Sequence, residues 1–205
     1  MGLLKPNNET RSGLTGNRWM LAGLMLGTAV LLVLAGEAGR EALRFDRPGI
    51  ASGDYWRLLT GHFVHLGWSH FALNAAGLGL VWFLVGEAYR RTDWVLIMVV
   101  SMACIDLGLW FFHPELQWYV GLSGLLHGIL AAGLIATWRP PRVETIALAA
   151  LLIAKLAWEQ TVGPMPGSEG TSGGTVIVDA HFFGTVGGVV MAILILIRVR
   201  RAAPI

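Results

Sequence analysis

A serine and a histidine stand at the starts of two separate apolar segments of this 205-residue chain: Ser123 within Gly121-Leu122-Ser123-Gly124, and His181 within Ala180-His181-Phe182-Phe183-Gly184. A serine hydroxyl attacks a carbonyl only when a base takes its proton, and neutral imidazole, with a pKa near 6.5, suits that task. Polar residues at membrane depth are costly and as a rule functional, so the pair implies hydrolysis with Ser123 as nucleophile and His181 as general base. The attack also creates an oxyanion that needs prearranged donors. Three are at hand: the amide of Ser123 at a helix N-terminus, and the side chains of His70 and Asn74, four residues apart on one helical face. Gly124 beside the serine, with Gly184 and Gly188 three and seven residues after the histidine, would let the two helices approach closely. No further carboxylate stands out near His181, so the expectation is a Ser-His dyad and not a triad.

The elements that must position these groups follow from composition. Apolar residues make up 55 % of the chain, charged residues only 14 %, and the mean hydropathy is +0.61, which places it in a bilayer. Nine Trp and 27 Gly fit that solvent, as interfacial anchors and as close-packing residues. Crossing lipid takes about 20 apolar residues. Six such stretches are expected as helices: Trp19–Gly36, Trp68–Gly86, Trp94–Phe112, Leu122–Trp138, Val143–Thr161 and Ala180–Ile197. The first lacks a small-residue cleavage site after it and is read as a span. The expected organisation is thus a cytoplasmic tail over residues 1–18, a six-helix all-α membrane domain over 19–197 and a short tail over 198–205.

Lys and Arg placement sets the orientation. Lys5, Arg11 and Arg18, then Arg90 and Arg91, Arg139 and Arg142, and Arg198, Arg200 and Arg201 fall on one side, against Arg40, Arg44, Arg47 and Arg57 on the other. Both termini are therefore expected in the cytoplasm. The small positive excess is a topology signal and implies no nucleic acid. In that orientation His70, Ser123 and His181 all lie within about two residues of the outer ends of their helices, a depth of roughly 3 Å, where water from the outer side can reach them.

Other polar residues have competing roles. His127, one turn after the serine, either stacks on His181 or forms a hydrogen bond within the bundle. Lys155 would be an alternative base, but Glu159 four residues on pairs with it and keeps it charged. His65 is expected to be a structural hydrogen-bonding residue of the first loop, and His62 and His113 to be solvated or interfacial in outer loops. There is no HExxH pattern, and neither metal nor cofactor is expected. A polar relay in a transporter is the non-enzyme alternative, but it requires neither glycines around the serine nor polar groups at one depth.

Trp56-Arg57, Thr60, His65, His70 and Asn74 together resemble, without gaps, the first-loop and second-helix signature of rhomboid intramembrane serine proteases. Gly121-Leu122-Ser123-Gly124 resembles their GxSG nucleophile motif, and Ala180-His181 with Gly184 and Gly188 their AHxxGxxxG motif. The resemblance covers roughly residues 54 to 190. It implies a six-helix bundle with a long, partly embedded first loop and a Ser123-His181 dyad, with an oxyanion hole from His70, Asn74 and the Ser123 amide. It also implies single-pass membrane substrates cut near the outer face of a bacterial inner membrane, entry gated by the fifth helix, where Lys155, Trp158 and Glu159 lie, and a flexible cap over residues 162–179, rich in Gly and carrying Pro164 and Pro166. His127, where many bacterial members carry an aromatic ring, and the Lys155-Leu156-Ala157-Trp158-Glu159-Gln160 stretch are similar to the rhombosortase branch. That branch implies exported substrates with a C-terminal Gly-Gly sorting tail. A catalytically dead relative acting as a binding protein would have lost the serine or the base, and this chain retains both.

Overall fold

The computed structural model describes residues 19–138 and 142–202. The expected tail over residues 1–18, Arg139 of the fourth connection and the chain end at 203–205 lie outside the described residues. Six principal helices correspond to the six apolar stretches. They are α1 (Met20–Leu34), α5 (Trp68–Val85), α6 (Arg91–Phe112), α7 (Ser123–Ala136), α8 (Val143–Thr161) and α10 (Val178–Ala202), with the five-residue α9 (Ser168–Ser172) between the last two. Among the described residues, α5, α6 and α10 are each long and apolar enough to cross a bilayer. A fourth crossing arises if α1 and the following α2 (Gly36–Leu43), bent by 117° at Ala35, count as one span. The protein is therefore a multi-pass membrane protein.

Neither α7 nor α8 is among these candidate crossings, so the six expected spans are not all shown; α7, the shortest of the six helices, organises the rest. Its 14 residues rise only about 21 Å, short of the ~30 Å of hydrocarbon, yet most of its side chains are buried. It is a core helix, shielded from lipid by its neighbours. Glycine explains how closely α10 lies against it. A Cβ at Gly124 would sit 2.7 Å from the carbonyl oxygen of Ala180, one at Gly128 would sit 2.5 Å from that of Gly184, and side chains at Gly184 and Gly188 would run into the carbonyls of Gly124 and Gly128. In lipid, association rests on such close fit because apolar surface gains little by exchanging one hydrocarbon neighbour for another.

The first loop is folded, not a simple connection. It contains α2, the two-residue strand β1 (Phe45–Asp46), and the short helices α3 (Arg47–Ala51) and α4 (Arg57–Thr60). Asp46 caps α3, its carboxylate accepting from the amide of Gly49 at 3.1 Å, as N-terminal Asp residues do. Arg47 reaches back to α6 and donates to the carbonyls of Leu109, Trp110, His113 and Leu116, groups a helix end otherwise leaves unpaired. Arg57 donates to Asp54 and to the carbonyls of Glu41 and Arg44. Strand β1 pairs antiparallel with β2 (Trp118–Tyr119), matching Phe45 with Tyr119, and the amide of Gly121 donates to Gly61. The loop thus grips the segment that leads into Ser123.

Candidate active site

Gly121 has φ of +133°, a conformation that L side chains rarely adopt; a Cβ there would also meet the His70 ring at 3.0 Å. That turn ends the incoming segment so that α7 begins at Ser123. Tyr119 fixes the turn by donating its hydroxyl to the Gly121 carbonyl at 2.8 Å. Burial, with Asp106 nearby, pushes its phenol far above its ordinary range, so it stays protonated and able to donate.

Across the glycine contact, His181 Nε2 lies 2.9 Å from Ser123 Oγ. The imidazole is buried, and Ser123 is partly accessible. On the opposite edge of the ring, His181 Nδ1 is 2.9 Å from Glu159 Oε2, while Glu159 Oε1 accepts from Lys155 Nζ at 2.5 Å. The i,i+4 pair is as expected, but the expectation that no carboxylate stands beside His181 is overturned: one oxygen of Glu159 serves the lysine and the other the histidine. A dyad is therefore an incomplete description of the geometry. Spacing along α8 shows that Lys155 and Glu159 share a face; it does not show that this face meets α10.

His127 fulfils both of its alternatives. Its ring stacks on His181, centroids 4.2 Å apart and planes 17° from parallel, and its Nδ1 lies 2.7 Å from the Ser123 carbonyl. Since a carbonyl only accepts, that nitrogen carries the proton. His70 Nδ1 accepts from the Leu66 amide at 3.3 Å, which leaves the proton on Nε2, the nitrogen on the side of Gly121. Asn74 Nδ2 donates to the His70 carbonyl at 3.1 Å, using one of its two amide hydrogens. Trp158 points outward, 42 % exposed, while Glu159 beside it is 3 % exposed.

One expectation about the histidines changes. His62 is fully buried rather than solvated, 3.2 Å from Asp106 and edge-on to Tyr119; this also gives Asp106 the partner that the sequence did not reveal. His65 packs edge-on against His70 and Phe71. His113 is half-exposed near Glu115 and Asp179, as a loop residue should be.

His127, Glu159 and His181 each offer a ligand atom within 4.8 Å of the others. The two rings, however, lie nearly parallel, so their in-plane lone pairs run alongside each other and do not converge. The Ser123, His181, Glu159 and Lys155 contacts form one continuous polar chain.

The family model for the Rhomboid domain matches residues 52–198. The chain belongs to the rhomboid family. YdcA of Bacillus subtilis (strain 168), a rhomboid relative, is 22 % identical over 155 residues, covering 76 % of this chain and 74 % of its own length. Rhomboid protease GluP of the same organism is 32 % identical over 83 residues, 40 % of this chain but only 16 % of GluP. The rhomboid match takes in every residue of the polar cluster, from Trp56 of the first loop to His181.

Proposed function

We propose that this rhomboid is an intramembrane serine endopeptidase. Ser123 Oγ attacks the scissile carbonyl while His181 Nε2 takes its proton, and the imidazolium then returns that proton to the leaving amine. The oxyanion is received by the Ser123 amide, His70 Nε2–H and the second amide hydrogen of Asn74. Water then repeats the sequence on the acyl-enzyme. The observation that carries this reading is the 2.9 Å separation of Ser123 Oγ and His181 Nε2 across a glycine-lined helix contact. The distribution of Lys and Arg supports cytoplasmic termini and a site opening to the outer side, and with the family resemblance it supports a bacterial inner-membrane protein whose site faces the periplasm.

For substrate we propose single-pass membrane segments carrying a Gly-Gly type C-terminal sorting tail, as in rhombosortases. A cavity of about 20 Å³ beside Ser123, bounded by Leu66, His70, Tyr119, Val120 and Ile177, has room for about one water molecule. A space this small favours a substrate residue without a bulky side chain at that point. The test combines a fluorophosphonate probe with co-expression of a Gly-Gly-tailed exported protein. Wild type should label and remove the tail, and Ser123→Ala should do neither. Failure of the well-folded wild type to label would overturn the protease reading; labelling with the tail left intact would overturn only the substrate.

A further inference from the structure

We infer that Glu159 is a positioning residue that decides which nitrogen of His181 carries the proton, and that Lys155 is the competitor it excludes. The inference rests on the Ser123–His181 reading above. His181 Nδ1 has two polar neighbours on α8: Glu159 Oε2 at 2.9 Å and Lys155 Nζ at 3.4 Å. A carboxylate can only accept a hydrogen bond and an ammonium can only donate one. When Nδ1 gives its hydrogen to Glu159, the lone pair of Nε2 faces Ser123 Oγ and the ring is a base. When Nδ1 instead accepts from Lys155, the ring hydrogen sits on Nε2, aimed at Ser123, with no lone pair there to take the hydroxyl proton. The same few ångströms of α8 therefore carry one group that selects the competent tautomer and another that selects the incompetent one.

Three features of the structure favour Glu159. It lies nearer the ring. Its other oxygen holds Lys155 Nζ at 2.5 Å, giving the ammonium a stronger acceptor than imidazole. His127 covers one face of the ring, with its own Nδ1 hydrogen committed to the Ser123 carbonyl. During attack the hydroxyl proton moves to Nε2, so the ring carries two N–H groups and one positive charge. The Nδ1 hydrogen stays on nitrogen, Glu159 remains an anion beside the new cation, and the Nε2 proton later passes to the leaving amine.

The experiment measures kcat and KM for cleavage of a single-pass membrane substrate by the purified full-length protein in proteoliposomes. It compares Glu159→Gln, Glu159→Asp and the double variant Glu159→Gln/Lys155→Met, with Ser123→Ala alongside. Glu159→Gln should lower kcat by about 100-fold to 10,000-fold, the range expected when a base is held in the wrong tautomer, with KM within about threefold of wild type. Glu159→Asp should recover part of the loss. Removing the competitor should help as well: the double variant should exceed Glu159→Gln alone by about tenfold or more. A merely structural salt bridge predicts the reverse, since losing both partners would not restore turnover. If Glu159→Gln does not extract as folded protein, Glu159→Asp takes its place and Glu159→Asp/Lys155→Met should exceed it. The inference is overturned if kcat survives Glu159→Gln, or if the double variant is no faster than the single. Activity remaining in Ser123→Ala would instead overturn the underlying serine-protease reading.

Discussion

Adding one methyl group at Gly124 tests whether helix spacing sets the chemistry. In Gly124→Ala the new Cβ would stand 2.7 Å from the Ala180 carbonyl oxygen, 2.9 Å from Ile105 Cδ1 and 3.1 Å from the Ala180 carbonyl carbon. The Ile105 methyl can move; the carbonyl belongs to α10 and cannot swing away without breaking the helix. Restoring an ordinary contact of about 3.4 Å therefore requires α7 and α10 to part locally by about 0.7 Å. Gly124 follows Ser123 and Ala180 precedes His181, so the separation falls on the reacting pair and stretches 2.9 Å to about 3.6 Å, beyond a useful hydrogen bond. Misplacement of this order costs about 100-fold in rate. Stability should change much less, because an overpacking cost of about 1–3 kcal/mol is partly offset by the ~1 kcal/mol better helix propensity of Ala over Gly. The assay is kcat for cleavage in proteoliposomes, with thermal unfolding in detergent as the check on folding. Gly23→Ala on α1, where a Cβ meets nothing within 4 Å, is the control and should leave kcat near wild type. A folded Gly124→Ala protein with kcat within about threefold of wild type would refute the link between glycine packing and alignment.

Asn74→Ala should lower kcat by about 100-fold with KM little changed, as expected for one oxyanion donor among several; a variant as inactive as folded Ser123→Ala, or fully active, would remove Asn74 from that role. His65 supplies a pH prediction. Burial, and secondarily the neighbouring His70, hold its imidazole down at about 4, whereas an unfolded histidine titrates near 6.5. The unfolded chain therefore binds this proton first, and the folded state loses up to about 3 kcal/mol as pH falls from 6.5 towards 4. His65→Phe, which keeps a ring against Phe71, should show a smaller drop in unfolding temperature between about pH 7 and pH 4.5 than wild type; an equal drop would show that His65 is not the acid-sensitive group.

What the sequence makes legible is what local rules govern. Helix α8 runs over Val143–Thr161 as expected, and the Lys155–Glu159 pair is present because four-residue spacing places both on one face. The Gly124, Gly184 and Gly188 contact is readable for a similar reason: small residues at helical spacing have few uses other than close approach. The fourth stretch is shorter than Leu122–Trp138 because Gly121 bends the chain and α7, shielded from lipid, need not span it. Contacts distant in sequence are the ones that hide. Glu159 and His181 are 22 residues apart on different helices, and α8 is apolar on so many sides that no amphipathic pattern declares which face turns inward. His62, with Asp106 and Tyr119, hides for the same reason, since a histidine in a loop reads as solvated until the loop is known to fold back under α6.

The two edges of the His181 ring are held by different physics, and this gives them different responses to force. Nε2 is held against Ser123 by backbones in contact, a fit with no slack. Nδ1 is held by α8, which contains no glycine and meets its neighbours through bulkier apolar side chains: Leu148, Leu152 and Leu156 against Ala131, Leu134 and Val189. Branched side chains can change rotamer and let a helix slide or tilt; interlocked backbones cannot. On the proposed mechanism, a displacement of α8 therefore reaches the chemistry through the tautomer of His181, leaving the serine beside a ring with its proton misplaced. A displacement between α7 and α10 reaches it through the length of the Ser123–His181 contact. The two faults are separable by one substitution: Lys155→Met should restore turnover to a protein impaired at Glu159 and should do nothing for one impaired at Gly124.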